Sequence, residues 1–357
     1  MAMLFSFLLG WKQLKNFKMN TSVPDVRVSV IISVRNEAEN IIGLLTDLAR
    51  QTYQTDLFEI ILVNDHSEDQ TISNAMVFKD QMNIIFVDLK EGEEGKKTAL
   101  QKGVSLSKGE LIFTTDADCR LGKDWIKSFV QYYIRYHPNM IIGPVLFHGE
   151  KNIFEEMQSL EFTGLIASGA GACGIHMPVL CNGANLVYKS SLIKNLNNPF
   201  KINISSGDDI FWMLKIKKNN PGKILFLKSV DAIVYTKAQS DFNKFISQRK
   251  RWTSKSKYYT DTEIRVVAWI VFLFNLSLVL LFICSFLKPE YLKTFLVLFF
   301  AKCLTDFSLL YSFTHFFKKM GVLKWIVPVQ FLYIFYSSMM AIFGNIGTFR
   351  WKGRLAK

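Results

Sequence analysis

Aspartates stand in three sets along the chain, and their order is its strongest chemical signal. They are Asp65, the two acids of Asp116-Ala117-Asp118, and Asp208-Asp209. Each set follows an apolar run or begins a helix-like one. Ligands of open α/β sheets bind outside the carboxyl ends of the strands, so we expect these carboxylates to share a site. A single acid at a strand end is usually a cap or a turn former. Three sets in this order, followed by a basic and aromatic segment at residues 248–252, predict a site for a metal-bound nucleotide diphosphate with a general base beside it.

The motif Asp116-Ala117-Asp118 directly follows an apolar run at residues 111–115. A turn of this kind brings two carboxylates near one point, which suits a hard divalent cation. Mg²⁺ and Mn²⁺ favour oxygen ligands and are commonly completed by substrate phosphates. A bound cation would neutralise the charge that builds on a departing diphosphate.

The pair Asp208-Asp209 precedes a helical pattern that begins at Ile210. One aspartate there would cap the helix by accepting hydrogen bonds from its free backbone amides. Two adjacent acids exceed what capping requires. One of them could act as a general base toward an acceptor hydroxyl, with its pKa raised by burial or by its neighbour.

Two further positions could contact a nucleotide. Asp65 ends an apolar run and could accept hydrogen bonds from a base imide or a ribose, although a turn residue there needs no function. Lys96 and Lys97 follow Gly95 at the start of a predicted helix, and a helix N-terminus with a lysine attracts phosphate. On its own this second signal is weak, because Gly-Lys at a helix start is common.

Gln248, Arg251 and Trp252 lie at i, i+3 and i+4, so they share one face of a predicted helix. Arginine offers a planar cationic fork for pyrophosphate, and tryptophan offers a flat surface for a sugar or the hydroxyl region of a lipid. The alternative is an aromatic and basic helix that only anchors the chain to a membrane. Both can hold.

Short β-branched runs alternate with helical patterns between residues 26 and 236. Near-continuous Val and Ile in the runs predict strands buried on both faces, hence an α/β fold with a mostly parallel sheet flanked by helices. The predicted strands are residues 28–34, 59–64, 84–88, 111–115, 140–147, 184–188 and 224–235. The predicted helices are residues 38–50, 69–78, 97–107, 124–136, 153–165 and 210–217.

The net charge of +13 could indicate a nucleic acid partner, but the distribution of charge does not favour one. Basic residues cluster at 244–257 and around apolar segments, where anionic lipid headgroups are the simpler partner. The five cysteines are odd in number and include no CxxC pair. This usage suits a reducing compartment and predicts neither a disulfide scaffold nor a thiolate metal site.

The remaining segments predict membrane attachment. Residues 1–11 are apolar and precede three lysines, which predicts an interfacial anchor rather than a signal peptide. The stretch is too short to span a bilayer, and a truncated spanning helix is the alternative. Residues 241–259 form an amphipathic basic pattern that suits a membrane interface. Three apolar segments, at 264–287, 291–317 and 325–349, each reach the roughly 20 residues that a bilayer requires. The predicted organisation is therefore an anchor at 1–25, a catalytic domain at 26–240, an interface helix at 241–260 and a transmembrane region of two or three helices at 261–357.

Charges leave the membrane topology open. Lys318, Lys319 and Lys324 predict that the second connection lies in the cytoplasm, and the basic residues that precede the first apolar segment predict the same for the catalytic half. Three crossings would then leave the basic residues at 350–357 outside, against the positive-inside rule. Either the last segment is re-entrant or interfacial, or the rule does not hold here. Lys302 and Asp306 lie four residues apart on one face of the middle segment, where an ion pair facing the bundle or a polar cavity would reduce their cost.

Taken in order, these motifs resemble the inverting family 2 glycosyltransferases with the GT-A nucleotide-sugar-binding fold, over about residues 26–257. The resemblance implies a uridine contact at Asp65 with Glu37 and Lys96 or Lys97 nearby, a metal–diphosphate ligand at Asp118 with Asp116 toward the ribose, and a base at Asp209. It also implies that Arg251 and Trp252, in a QxxRW motif with Gln248, close over the diphosphate and acceptor. Asp208 stands where Glu is common in the family. The ending Trp351-Lys352-Gly353-Arg354 and the few C-terminal apolar segments are similar to the branch that glycosylates ceramide and carotenoids.

The expected function is that of a multi-pass enzyme of the cell membrane with a cytoplasmic catalytic domain. It would use Mg²⁺ or Mn²⁺ and a UDP-sugar to glycosylate a lipid hydroxyl that Asp209 deprotonates. One alternative is a processive polysaccharide synthase, for which QxxRW is also typical but which generally needs more spanning helices. A polyprenyl-phosphate sugar transferase is a related variant. A non-catalytic membrane scaffold is a remote alternative, because every expected acid is present.

Overall fold

The structure is a computed structural model that describes residues 1–22, 24–194, 208–219, 223–344, 349–351 and 354–356. Its strands are β1 Val28–Val34, β2 Phe58–Asn64, β3 Ile84–Asp88, β4 Leu111–Asp116, β5 Arg120–Leu121, β6 Met140–Ile142, β7 Val145–Phe147, β8 Leu186–Lys189, β9 Ile224–Phe226, β10 Val234–Thr236, β11 Phe349–Trp351 and β12 Arg354–Ala356. Its α-helices are α1 Ala2–Gln13, α2 Ile41–Ala49, α3 Thr71–Met76, α4 Lys96–Leu106, α5 Trp125–Tyr136, α6 Ile153–Gly174, α7 Ser190–Lys194, α8 Asp208–Asn219, α9 Phe242–Thr253, α10 Thr262–Cys284, α11 Glu290–Phe316 and α12 Ile326–Phe343.

The chain divides into two compact units. The sheet unit comprises Leu14–His148 and Cys181–Lys237, and the helical unit comprises Met1–Gln13, Gly149–Leu180 and Ala238–Lys357. The predicted organisation kept residues 149–180 in the catalytic domain. In the structure this stretch, which contains α6, belongs with the C-terminal helices instead.

A seven-stranded sheet forms the centre of the sheet unit, in the order β3-β2-β1-β4-β8-β6-β9. The strands β1 to β4 run parallel to one another, whereas β8 runs antiparallel to both β4 and β6. Six of the seven residues of β1 are buried, as expected for a strand of Val and Ile covered on both faces. The α/β architecture therefore follows from the sequence pattern.

Two predicted strands are broken in the structure. The run at 140–147 divides at Gly143 and Pro144 into β6 and β7, which belong to different sheets. Proline cannot donate a ladder hydrogen bond, so the chain leaves the first sheet there. The run at 224–235 likewise divides into β9 and β10, with a short 3₁₀ turn at Val230–Ala232 between them. The chain segments β5, β10 and β7 form a second, three-stranded sheet.

In the helical unit α6 is longer than predicted and packs against α1. The predicted helix ended at residue 165, but α6 continues to Gly174 through a stretch rich in Gly and Ala. An added Cβ at Gly10 would lie 2.0 Å from the carbonyl oxygen of Gly171, and one at Gly171 would lie 2.2 Å from that of Phe7. The two helices therefore touch backbone to backbone, which only glycine permits. Part of the predicted interfacial anchor is thus the helix α1, whose Trp11 is 1% exposed.

Three helices are long and apolar enough to cross a membrane, namely Thr262–Cys284, Glu290–Phe316 and Met320–Phe343 with its leading 3₁₀ turn. The third predicted segment extended to residue 349, but α12 ends at Phe343 and Gly344 follows. Lys302 donates to the Asp306 carboxylate at 2.6 Å and also contacts the Gln330 side-chain oxygen on α12. The two charges on α11 therefore form an ion pair inside the bundle, where it has an additional polar partner.

Candidate active site

The carboxyl ends of three adjacent parallel strands form one edge of the large sheet. Val34 of β1 is paired with Asn64 of β2, and Ser33 is paired with Asp116 of β4. Asp65 and the DxD motif therefore follow neighbouring strands at the same edge. This is the edge at which open α/β sheets bind ligands.

The loops after β1 and β2 are joined by hydrogen bonds. Asn36 has a positive φ of 52°, which Asn tolerates better than most residues, and its side-chain oxygen accepts from the Glu68 N–H at 2.9 Å. The Glu37 N–H donates to the Thr71 hydroxyl at 2.7 Å. Burial acts to raise the pKa of Asp69, but hydrogen bonds from Thr71 and from backbone N–H groups outweigh it and lower that pKa. Glu37, predicted near the nucleotide, is thus fixed beside the loop that carries Asp65.

Asp65 is 1% exposed and is held by two neighbours. Its carboxylate accepts from the Gly95 N–H at 3.1 Å, and the Arg35 guanidinium lies 3.8 Å from the same carboxylate. Arg35 also donates to the Asp65 backbone carbonyl at 3.1 Å. Gly95 has a φ of +94°, which favours glycine, and α4 begins directly after it. A direct contact between the Asp65 carboxylate and a nucleotide would therefore need this loop to move.

Lys96 and Asp116 form an ion pair at the start of α4. The Lys96 ammonium contacts the Asp116 carboxylate, and both side chains are partly exposed, at 26% and 35%. Lys97 is also partly exposed. The lysine predicted to attract phosphate and the first acid of the DxD motif are therefore neighbours. If a cation and a diphosphate bind together, the cation could bind Asp116 and the diphosphate could bind Lys96.

Asp118 lies where the second sheet approaches this edge. The Thr236 hydroxyl, at the end of β10, lies 3.5 Å from one carboxylate oxygen, and the Cys119 thiol lies 3.8 Å from the other. Burial, followed by the charges of Asp118 and Asp116, raises the pKa of the Cys119 thiol. The two carboxylates are therefore better candidate donors for a hard cation than this buried thiol.

Gly183, which the sequence analysis did not single out, connects Asp209 to strand β4. The Asp209 carboxylate accepts from the Gly183 N–H at 3.0 Å, and the Gly183 carbonyl accepts from the Thr114 hydroxyl of β4 at 3.0 Å. Thr114 stands two residues before Asp116. The other Asp209 oxygen accepts from the Ile210 N–H at 2.9 Å, so the capping alternative holds in part. Gly207 and the Asp208 side chain lie outside the described residues.

The QxxRW residues lie on α9 in the helical unit, which is organised around an arginine that was not predicted. Arg249 is 3% exposed and pairs with Glu161 of α6. Two nitrogens of its guanidinium donate to the two carboxylate oxygens of Glu161. Its guanidinium lies 4.2 Å from the centre of the Trp252 ring and donates to the Gln248 side chain at 2.6 Å. Arg249 thus orients Gln248 and Trp252. The predicted diphosphate ligand Arg251 is half-buried on the same helix.

Acidic, histidine and cysteine side chains form no cluster of three or more with metal-binding geometry within the described part of the chain. The DxD turn supplies two carboxylates. For Mg²⁺ or Mn²⁺ this number is sufficient when phosphate oxygens and water complete the shell. The donor set therefore fits a metal that arrives with a phosphate substrate rather than one held by protein alone.

Residues 29–196 match the family model described as Glycosyl transferase family 2. This stretch is a family 2 glycosyltransferase domain. The match includes Glu37, Asp65, both lysines and the DxD motif, and it ends before Asp209 and α9.

The chain aligns with only part of the length of the curated relatives that it matches. Glycosyltransferase AglE of Haloferax volcanii is 25% identical over 185 residues, which is 52% of this chain and 59% of that protein. The poly-β-1,6-N-acetyl-D-glucosamine synthase of Staphylococcus aureus is 26% identical over 154 residues, which is 42% of this chain and 36% of the synthase. The chain therefore spans between about a third and three fifths of these relatives.

A solved structure with a similar fold is the mannosyltransferase of Pyrobaculum calidifontis in complex with GDP-mannose and Mn²⁺. It superposes with a TM-score of 0.58 at 16% identity, over 97% of each chain. At this identity the likeness concerns the fold. The predicted fold class, an α/β glycosyltransferase fold with apolar C-terminal helices, is confirmed.

Proposed function

We propose that this family 2 domain belongs to a membrane-bound inverting glycosyltransferase that transfers a sugar from a UDP-sugar to a lipid hydroxyl. The observation that carries the proposal is the chain of hydrogen bonds from Asp209 through Gly183 to Thr114, two residues before the DxD motif. It supports a carboxylate base close to the edge where a nucleotide diphosphate would bind.

In this proposal Asp209 accepts the proton of the acceptor hydroxyl. The acceptor oxygen attacks the anomeric carbon as the bond from that carbon to the diphosphate oxygen breaks. UDP leaves, and the anomeric configuration inverts because a single in-line displacement occurs. Aspartate is suited to this step, since general-base catalysis requires a group within hydrogen-bond reach of the proton that it removes.

Asp118 and Asp116 would hold Mg²⁺ or Mn²⁺, and the metal would supply charge stabilisation for the leaving diphosphate. When a metal cation binds Asp116, the Lys96 ammonium would leave that carboxylate and pair with a phosphate instead. Both side chains are partly exposed, so this change needs no buried group to move. The mannosyltransferase of Pyrobaculum calidifontis, solved with GDP-mannose and Mn²⁺, supports a nucleotide sugar and a divalent metal for this chain. Stabilisation of developing charge by such groups is usually the largest catalytic contribution.

We further propose that the helical unit is embedded in the cell membrane with the catalytic half in the cytoplasm. Both ends of α12 approach elements that are not candidate spans. Trp325, just before α12, donates to Glu156 of α6, and an added Cβ at Gly344, just after it, would lie 2.8 Å from the Thr253 side chain of α9. This path supports a re-entrant or interfacial α12, which would keep the basic C-terminal residues on the cytoplasmic side.

The lipid acceptor distinguishes this proposal from a polysaccharide synthase, the activity named for the Staphylococcus aureus relatives. The resemblance to the ceramide and carotenoid branch supports a lipid.

The test is to incubate the purified full chain in nanodiscs with a panel of radiolabelled UDP-sugars and GDP-mannose, with Mn²⁺ and lipid extract. Label in the organic-extractable fraction is expected from a UDP-sugar. Label that accumulates as high-molecular-weight glycan without lipid would instead favour the synthase. Metal-stimulated transfer from GDP-mannose alone would overturn the choice of UDP.

A further inference from the structure

A cavity of about 1030 Å³ lies inside the helical unit, among α1, α6, α9, α10, α11 and α12. Most of the side chains that line it are apolar, such as Leu4, Leu160, Val267 and Leu309. Its volume is at the upper end of what small-molecule sites occupy, roughly 300–1,000 Å³. The size and lining suit part of a lipid rather than a sugar.

Two charged clusters line this cavity, and each is neutral as a pair. Arg249 is paired with Glu161, and Lys302 is paired with Asp306. Because each inner cation already has a carboxylate partner, neither calls for an anionic ligand. Lys257 and Arg265 also line the cavity, but their side chains are exposed. The buried charges of the lining are therefore balanced, and they suit an uncharged occupant better than a lipid phosphate.

Aromatic side chains link the two clusters along one wall. The Arg249 guanidinium lies 4.6 Å from the centre of the Phe245 ring, and Phe245 lies 5.5 Å from Tyr336. Tyr336 lies 6.3 Å from Tyr333, whose ring centre is 5.4 Å from the Lys302 ammonium. The cavity lining is therefore polar at two places, one on α9 and α6 and one on α11.

The cavity lining also contains a buried polar atom that has no partner among the described residues. Asn275 of α10 is 2% exposed and lines the cavity. Its side-chain nitrogen donates to the Val271 carbonyl at 2.9 Å, which fixes the orientation of the amide. Its side-chain oxygen has no hydrogen-bond partner among the described residues, and neither does the hydroxyl of Ser337, which lines the same cavity. Leaving a buried acceptor unpaired is unfavourable, so a ligand that donates a hydrogen bond there would be favoured.

We propose that this cavity binds the acceptor lipid and that Asn275 accepts a hydrogen bond from an N–H or O–H in the lipid backbone. The identity of this lipid as the acceptor rests on the proposed function. The occupant is an uncharged lipid with an amide or a hydroxyl below its reacting hydroxyl. An ester or an isoprenoid chain has no donor and would leave Asn275 unpaired. Asn275 is then a specificity-determining residue.

The experiment compares two probes that differ mainly in the donor. One is a fluorescent N-acyl amino alcohol (a ceramide), and the other is a diacylglycerol with the same fluorescent acyl chain, which has esters instead. Each is titrated into the detergent-solubilised full chain without nucleotide sugar. The wild-type protein is expected to bind the ceramide at least about tenfold more tightly. Asn275→Leu is expected to remove that preference by weakening ceramide binding alone.

Ser277→Ala is the matched control, because Ser277 lies two residues along α10 and outside the cavity lining. It should leave both affinities unchanged. Equal affinities in the wild type, a preference that persists in Asn275→Leu, or tighter binding of a polyprenyl phosphate probe would each overturn the inference. The wild-type comparison decides the matter even if Asn275→Leu does not fold.

The two proposals fail separately. Binding is measured without transfer, so a ceramide preference that depends on Asn275 would stand even if no lipid were ever glycosylated. Conversely, transfer to lipids without any amide or hydroxyl preference would support the proposed function and refute the role of Asn275.

Discussion

The buried ion pair between Arg249 and Glu161 allows a quantitative test of how the QxxRW helix is held. The side chains of the two residues are 4% and 11% exposed. Glu161→Gln keeps the size of the side chain but leaves the guanidinium without its counter-charge. Breaking one partner of a buried pair costs about 3–5 kcal/mol. At roughly 2–4 °C per kcal/mol for a large domain, the melting temperature should fall by about 6–20 °C.

The assay is thermal unfolding of the full chain in detergent, followed by intrinsic tryptophan fluorescence. Lys324→Met is the control, because Lys324 and its partner Glu156 are 58% and 32% exposed and exposed pairs contribute little. It should not change the melting temperature measurably. The double variant Glu161→Leu/Arg249→Met should recover most of the lost stability, since it leaves no unpaired charge.

The same double variant should not recover activity. It removes the guanidinium that lies 4.2 Å from the Trp252 ring and donates to Gln248, so the orientation of both side chains is lost. A fall of less than about 2 °C for Glu161→Gln, or full activity in the double variant, would refute the view that this pair holds the QxxRW residues in place.

Three other outcomes are expected. Asp118→Ala should abolish metal-stimulated transfer while the circular dichroism spectrum stays that of the wild type, and near-normal metal-dependent turnover would remove Asp118 from the metal site. Asp209→Asn should bind the donor normally by calorimetry but lose at least about a hundredfold in transfer, the lower range for a general base; transfer within tenfold of wild type would assign the base to another group. Gly171→Ala should lower the melting temperature by separating α1 from α6, because its new Cβ would lie 2.2 Å from the Phe7 carbonyl oxygen, and an unchanged temperature would contradict that close contact.

Much of the sheet could be predicted because its strands are local patterns. The predicted bounds of β1 and β3 agree with the structure, and those of β2 and β4 differ by one residue. Parallel strands in this order bring their carboxyl ends to one edge, so the proximity of Asp65 and the DxD motif follows from the pattern.

The missed features depend on contacts between distant parts of the chain. The hydrogen bond that joins Asp209 to Gly183 spans 26 residues, and the pairing of Arg249 with Glu161 spans 88. No local periodicity distinguishes Arg249 from the basic residues around it. A partial signal existed for α6, since small residues every three or four positions permit close helix packing, but their low hydrophobicity concealed the helix.

The glycine contact between α1 and α6 also has a consequence for the timing of synthesis. Gly171 is made 161 residues after Gly10, and Ser312, whose hydroxyl accepts from the Trp11 indole, is made 301 residues after Trp11. At about 5–20 residues per second, α1 waits roughly 10–30 s for α6 and up to about a minute for α11. During that interval its apolar face lacks its contacts with α6 and α11. Of the helices described, α1 is thus synthesised before the others but is among the last to be packed, and a ribosome that pauses before residue 171 would prolong the exposure of this face.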